Sequence, residues 1–413
     1  EDSSILAEAP GSRTISAMRG RSQIHCLRLY PLAIPLRRPF EHAAKTRQTA
    51  DPVVVQVELA SGTLGYGETL ARPYVTGETP ESVIETIRRL MPDLLVELRP
   101  ASFPEALEAI DRLPHRDADG TVINAARAAV ELALLDAYSR HFERPISEAV
   151  GWLDLPELGP PGSLKNVTYS AVVSGGPSGR VARKVRMMRW YGLRDFKLKV
   201  GYDDDAERVA TVVRILGRSL GRETTLRLDA NGAWTLQEAI ARLGRLPLDA
   251  ISCVEQPLAR QYDNDLSELR KAIGVAVMPD ESLLTMDDAE RLVRMEAVDL
   301  FNIRISKNGG FLSALKLIHF ARRHGLKYQL GCMVGETSIL SAAGRRFLEN
   351  APHVCFAEGS YGRFLLNDDV VDRPVQFGCN GKPTPLAGLG WGIDVVPERL
   401  ERLAVRPAVE LRL

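Results

Sequence analysis

Six charged residues recur along the second half of the chain at the pitch of one strand–helix unit. Lys199, Asp229, Glu255, Asp280, Lys307 and Glu336 stand 30, 26, 25, 27 and 29 residues apart, each near the end of a short apolar run. The runs are VTYSAVV, DFKLKV, TLRLDAN, AISCVEQPL, AVMPDES, LFNIRIS, KYQLGC and VCFAEGS, and helical stretches such as LQEAIARLGRL and FLSALKLIHFARRHG separate them. Eight strands alternating with helices over about 200 residues predict a (β/α)8 barrel, which brings the carboxyl ends of its strands to one mouth. A doubly wound open sheet is disfavoured, because no glycine-rich phosphate turn follows the first strand and polar residues end so many of the others.

The residue types at that mouth define a chemistry. Asp229, Glu255 and Asp280 would repel one another unless a cation lies among them. Three oxygen ligands on rigid strands suit Mg2+ or Mn2+. The only cysteines near these ends are Cys253 and Cys332 and no histidine is there, which argues against zinc. Lys197 and Lys199 share one face of FKLKV by strand alternation. An ammonium beside a divalent cation and a second ammonium gives up its proton more readily, so this pair supplies a general base. Lys307 is expected to approach from across the barrel. Two lysines facing a metal-held carboxylate suit removal of the neighbouring proton, the metal taking up charge on the enediolate oxygens. By alternation, however, Lys307 is out of phase with Asn302 and Arg304, so both can face inward only if the strand bulges or ends first.

The rest of the chain frames this barrel. Residues 1–23 are polar and aperiodic, without the apolar core of a signal peptide, and read as a flexible tail or leader. Residues 24–160 read as an α+β domain: IHCLRLYPL and VVVQVELASGTLGYGE predict antiparallel strands, and ESVIETIRRLMPDLLVEL and INAARAAVELALLDAYSR predict helices. The cluster LPELGPPGSLKN marks a linker near residue 160. The barrel is assigned to 161–375, and 376–413 to a segment that packs back on the first domain. Lysine plus arginine equals aspartate plus glutamate at 53 each. That balance gives no nucleic-acid footprint, and no apolar run approaches the ~18 residues of a membrane span. Five scattered cysteines fit a reducing, cytoplasmic setting.

The motifs FKLKVG, RLDANGAW, VEQPL, MPDESL, NIRISKNGG and GCMVGETS, with GYGETLARPYVTGET before them and GLGWGIDV after, resemble the enolase superfamily in its muconate-lactonizing subgroup, within the mandelate racemase/muconate lactonizing enzyme family. The resemblance implies a Mg2+-dependent isomerase: a modified barrel with a capping domain, a small-molecule carboxylate as substrate, and a homo-oligomeric assembly. Carried over by motif, Lys199 is the second-strand base with Lys197 beside it. Asp229, Glu255 and Asp280 are the metal ligands, with Asn231 as a polar partner. Lys307 is the sixth-strand base, and Glu336 orients substrate or that lysine. Loops around Pro35–Phe40 and Arg72–Gly77 close over the substrate, placing Arg72 and Tyr74 against it. Arg304 stands where lysine is more usual, and AEGSYGRFLLNDD lacks the Asp-x-Asp of dipeptide epimerases. The resemblance therefore implies a cycloisomerase-like enzyme, with a racemase or epimerase, or an o-succinylbenzoate synthase-like dehydratase, as alternatives on the same constellation.

Taken singly, each residue has a bland explanation. A lysine-bearing strand is usually a solvated face, strand-end carboxylates often cap helices, and Glu336 would suit the first turn of a helix. A non-catalytic binding barrel would keep the fold, but loss of function should have cost at least one of these residues, and all are present.

Overall fold

A computed structural model describes residues 19–42, 45–158 and 164–413. Most of the predicted tail and the predicted linker around residue 160 lie outside the described residues. The tail boundary at residue 23 falls within packed structure: residues 19–22 are helical, and Ser22 is buried with its hydroxyl donating to Pro100 O at 2.6 Å.

The first domain is built on strands β1 (Ile24–Pro31), β4 (Val53–Leu59) and β5 (Leu64–Thr69), with the hairpin β2 (Ile34–His42) and β3 (Lys45–Ala50) between them. The segment from Pro35 to Phe40, expected as a loop, is therefore strand. The chain's last strand, Val409–Arg412, pairs antiparallel with β1, Cys26 opposite Arg412, and completes the antiparallel sheet. Trp391, fully buried, donates its indole N–H to Tyr66 O at 3.0 Å, so the C-terminal segment is stitched into this domain.

The helix Asn124–His141 packs against β4 and β5 and is buried at every position from Asn124 to Ser139. Its alanine-rich sequence follows from that, since a helix covered on all sides has no face to leave polar. The contact is closest at β5, where a Cβ added to Gly67 would lie 2.0 Å from Ala129 O and 2.5 Å from Ala133 N, both backbone atoms. Gly67→Ala must push the helix off the sheet. A loss of about 1–3 kcal/mol is expected, read as a lower urea midpoint, and an unchanged midpoint would contradict this packing.

The barrel strands are β6 (Ala171–Val173), β7 (Asp195–Lys199), β8 (Thr225–Asp229), β9 (Cys253–Glu255), β10 (Val277–Met278), β11 (Leu300–Ile303) and β12 (Lys327–Leu330). The eighth run, VCFAEGS, forms no regular strand, yet Ala357 bridges Leu330 on one side and Tyr169 on the other and closes the ring. The parallel register places Lys199 beside Asp229 and Asp229 beside Glu255, at the carboxyl ends of their strands. Thr235 and Thr285 then start the next helices through reciprocal caps with Glu238 and Asp288. Among the described residues no helix is long and apolar enough to cross a membrane.

Candidate active site

At the barrel mouth, Lys199 Nζ donates to Asp229 Oδ2 at 2.9 Å and to Asn231 Oδ1 at 2.6 Å. Asn231 reaches back because its backbone is left-handed, with φ of 47°, a conformation asparagine tolerates better than most residues. Lys197 Nζ lies deeper, donating to Glu358 at 2.9 Å and Glu255 at 3.2 Å, with Asp229 at 3.4 Å. Burial opposes its charge, but Glu255, Glu358 and Asp229 outweigh that and hold its ammonium above the ordinary range. Lys197 is thus an ammonium shared among three buried carboxylates.

Asp229, Glu255 and Asp280 are fully buried behind these cations. Gln256 fixes the backbone between two of them: its Oε1 accepts from Asp280 N at 2.8 Å and Ser282 N at 3.2 Å. The opposing electrostatics separate the carboxyl groups. Despite burial, Lys199 and Lys197 pull Asp229 well below the ordinary carboxylate range. Burial and then Asp229 push Glu255 up to about 7. Glu281, which lines the cavity beside Asp280, is pushed up to about 8 by burial and then Asp280.

The sixth strand departs from expectation. Lys307, carried over as the second base, is fully buried and does not line the cavity. Its three hydrogens go to Asp280 O at 2.7 Å, Asn302 O at 2.9 Å and Asp280 Oδ1 at 3.0 Å. The backbone there is clamped by the first domain, since Asn124 Nδ2 donates to Lys307 O at 3.0 Å. The cause is strand length. Regular pairing of β11 stops at Ile303, the inward phase of Asn302 passes to Arg304, and Lys307 falls in the turn beyond. Arg304 faces the cavity and contacts Asp280 Oδ2, with Glu255 Oε1 at 3.6 Å. Burial disfavours its charge, but Asp280 and Glu255 more than restore it.

Arg72 and Tyr74 line the same cavity, and Arg72 Nη1 is held by Asp51 at 2.7 Å. Glu336 does not line it. It borders a neighbouring void of about 20 Å3 that Arg304 and Glu358 also touch, room for about one water. Burial, and then Glu68, push its carboxyl up to about 8. Because its folded-state pKa is raised, Glu336 favours folding most at low pH, and that contribution is lost as pH climbs from about 4.5 through 8. Glu336→Gln should therefore flatten the fall in Tm between about pH 5 and 8. An unaltered pH profile would contradict the assignment.

Sequence reasoning missed Glu281, Glu358 and Gln256 as site residues, although Glu358 ends the eighth run as Glu336 follows the seventh. Cys332 lines the cavity, and burial holds its thiol well above the ordinary range.

The chemistry of the donor set fits a hard divalent cation. Asp229, Glu255 and Asp280 supply only oxygen, and nearby Glu281 Oε2 is buried with no hydrogen-bond partner. In the present arrangement Lys197 and Arg304 fill the space between the carboxylates, and among the described residues no three metal-binding side chains are spaced around one point.

The comparisons agree with this architecture. Residues 180–399 match the model of the enolase C-terminal domain-like family, and 27–151 match that of the mandelate racemase/muconate lactonizing enzyme N-terminal domain. The chain is 30% identical over 370 residues to an L-Ala-D/L-Glu epimerase of Bacillus subtilis, covering 87% of this chain and 94% of that protein. It is 29% identical over 379 residues to muconate cycloisomerase 1 of Pseudomonas putida, covering 90% and 95%. The solved muconate lactonizing enzyme of Pseudomonas fluorescens, complexed with muconolactone, superposes with a TM-score of 0.78 at 25% identity over 93% of this chain and all of that one. Two domain matches in order, covering the first domain and the barrel, place the chain in the mandelate racemase/muconate lactonizing enzyme family of the enolase superfamily.

Proposed function

We propose that this chain is a one-base isomerase that opens and closes a lactone next to a carboxylate, as a muconate cycloisomerase does. The observation that carries the reading is Arg304. It faces the cavity from the sixth barrel strand, opposite Lys199 on the second, where a racemase or epimerase working from both faces needs a base that can lose its proton. A guanidinium stays protonated in proteins. Lys307, the nearest lysine on that side, has all its hydrogens committed away from the cavity.

Lys199 is then the group that removes the α-proton and returns it in the reverse direction. Asn231 and Asp229 hold its Nζ in place. Asp229, Glu255 and Asp280 would hold Mg2+, which supplies positive charge to a bound carboxylate and lowers the cost of removing the neighbouring proton. Lactone opening expels a carboxylate, which leaves without needing a proton. A fixed cation opposite the base suffices to attract it, and Arg304 Nη1 is the guanidinium edge free of carboxylate, its partner being the weakly accepting Met333 sulfur at 3.7 Å. Dehydration would instead expel hydroxide and require a proton donor. The experiment is turnover with Mg2+ of muconolactones, N-succinyl amino acids and dipeptides, followed by NMR. Opening of a lactone with no stereoisomer formed from any amino acid derivative is expected, and formation of such a stereoisomer overturns the reading.

A further inference from the structure

The cavity is larger and more apolar than the chemistry above requires. It measures about 350 Å3, within the range of pockets that enclose ligands of drug-like size rather than a six-carbon acid. Its ionisable groups, Lys197, Lys199, Glu281, Arg304 and Glu358, come from barrel strand ends, with the first domain adding Arg47 and Arg72. One stretch of wall is apolar: Met187, Met188, Tyr191, Leu193, Phe364 and Phe377. Three of these rings pack on one another, Phe364 against Phe377 at 5.6 Å and Tyr191 edge-on to both at 6.2 and 6.4 Å. Two wall residues are held open to solvent, Met187 at 59% exposure and Phe364 at 45%. Large apolar side chains left exposed along a concave wall mark a surface that a ligand covers.

We propose that the substrate is a carboxylate bearing a bulky aryl or alkyl group, and that this group lies in the apolar arm between the helix Ser178–Trp190 and residues 361–377. The inference rests on the reading of the polar end as the carboxylate-handling site. The arm is separate from the first domain, whose contribution to the cavity is Arg47 on β3 with Arg72 and Tyr74. It selects by area and shape. Each methylene buried there should tighten binding about fourfold, until the arm is full. The rings favour an aryl terminus through edge-to-face contacts.

The test is calorimetric binding, with Mg2+ and the full chain, of acetate, phenylacetate and a series of phenylalkanoates up to 6-phenylhexanoate. Affinity should rise with tail length over at least two added methylenes. Phe364→Ala and Met188→Trp, which remove and fill parts of the arm, should each flatten that rise by fivefold or more at the longest tail. Affinity independent of tail length, with the short acids still binding, overturns this inference and leaves the polar site standing. A rise that survives both substitutions puts the tail elsewhere and also overturns it. Failure of every acid to bind overturns the carboxylate reading of the polar end, and the inference with it.

Discussion

Lys199→Ala is expected to slow α-proton exchange by about 10²–10⁴-fold, the usual worth of a positioned general base, while the chain stays folded. Lys199 Nζ lies at the cavity on Asp229 and Asn231, partners that survive its loss. Asp229 keeps Lys197 at 3.4 Å, so removing Lys199 leaves no buried carboxylate without a cation. The measurement is solvent deuterium exchange into a substrate's α-position beside a thermal melt. Exchange that persists in this variant at the wild-type rate would remove Lys199 from the mechanism. Lys197→Ala serves as the contrast. It takes from Glu255, Glu358 and Asp229 the one ammonium they share, leaving them to Arg304, Arg227 and Lys199, and its first effect should be on stability.

Lys307→Met is expected to do the reverse, costing about 3–5 kcal/mol of stability, because two buried carbonyls and a carboxylate oxygen each lose a partner at about 1–3 kcal/mol apiece. Its ammonium is buried and shares its hydrogens between the Asp280 carboxylate and two backbone carbonyls. Removing it also leaves Asp280 to Arg304 alone. Denaturant midpoints give the stability, and exchange per folded molecule gives the chemistry. That exchange should fall far less than in Lys199→Ala. A stable Lys307→Met protein with no exchange would restore Lys307 as a base.

Spacing alone locates the mouth of the barrel, because each βα unit returns the chain to the same rim and the carboxylates recur at that interval. Direction is harder to read. RISKNGG offers two cations three residues apart, and a motif match favours the lysine; the structure favours the arginine, because regular pairing ends at Ile303 and Lys307 turns under the first domain. Alternation contains that signal, since Arg304 shares the phase of Asn302. Glu281 is illegible for the opposite reason. It follows Asp280 directly, and strict alternation would turn it away, but β10 ends at Met278 and the phase no longer applies. The apolar arm had no signature in the sequence. Its wall joins MMRWY on one helix to residues nearly two hundred positions later, and neither stretch is periodic in a way that points at the other.

The same separation explains why a resemblance reached the family and left the reaction open. The relatives the chain matches carry several activities, and in the reading proposed here the choice between one base and two turns on which single side chain at the end of β11 faces the cavity.

The direct test is the stereochemistry of exchange. A single enantiomer of a turned-over carboxylate, incubated with the protein and Mg2+ in D2O, should take up deuterium at the α-carbon with its configuration retained, as the proposal that Lys199 acts as base without a partner requires. Deuterium appearing in the opposite enantiomer at a comparable rate would mean that a second base works from the far face, and would contradict the central role given to Arg304.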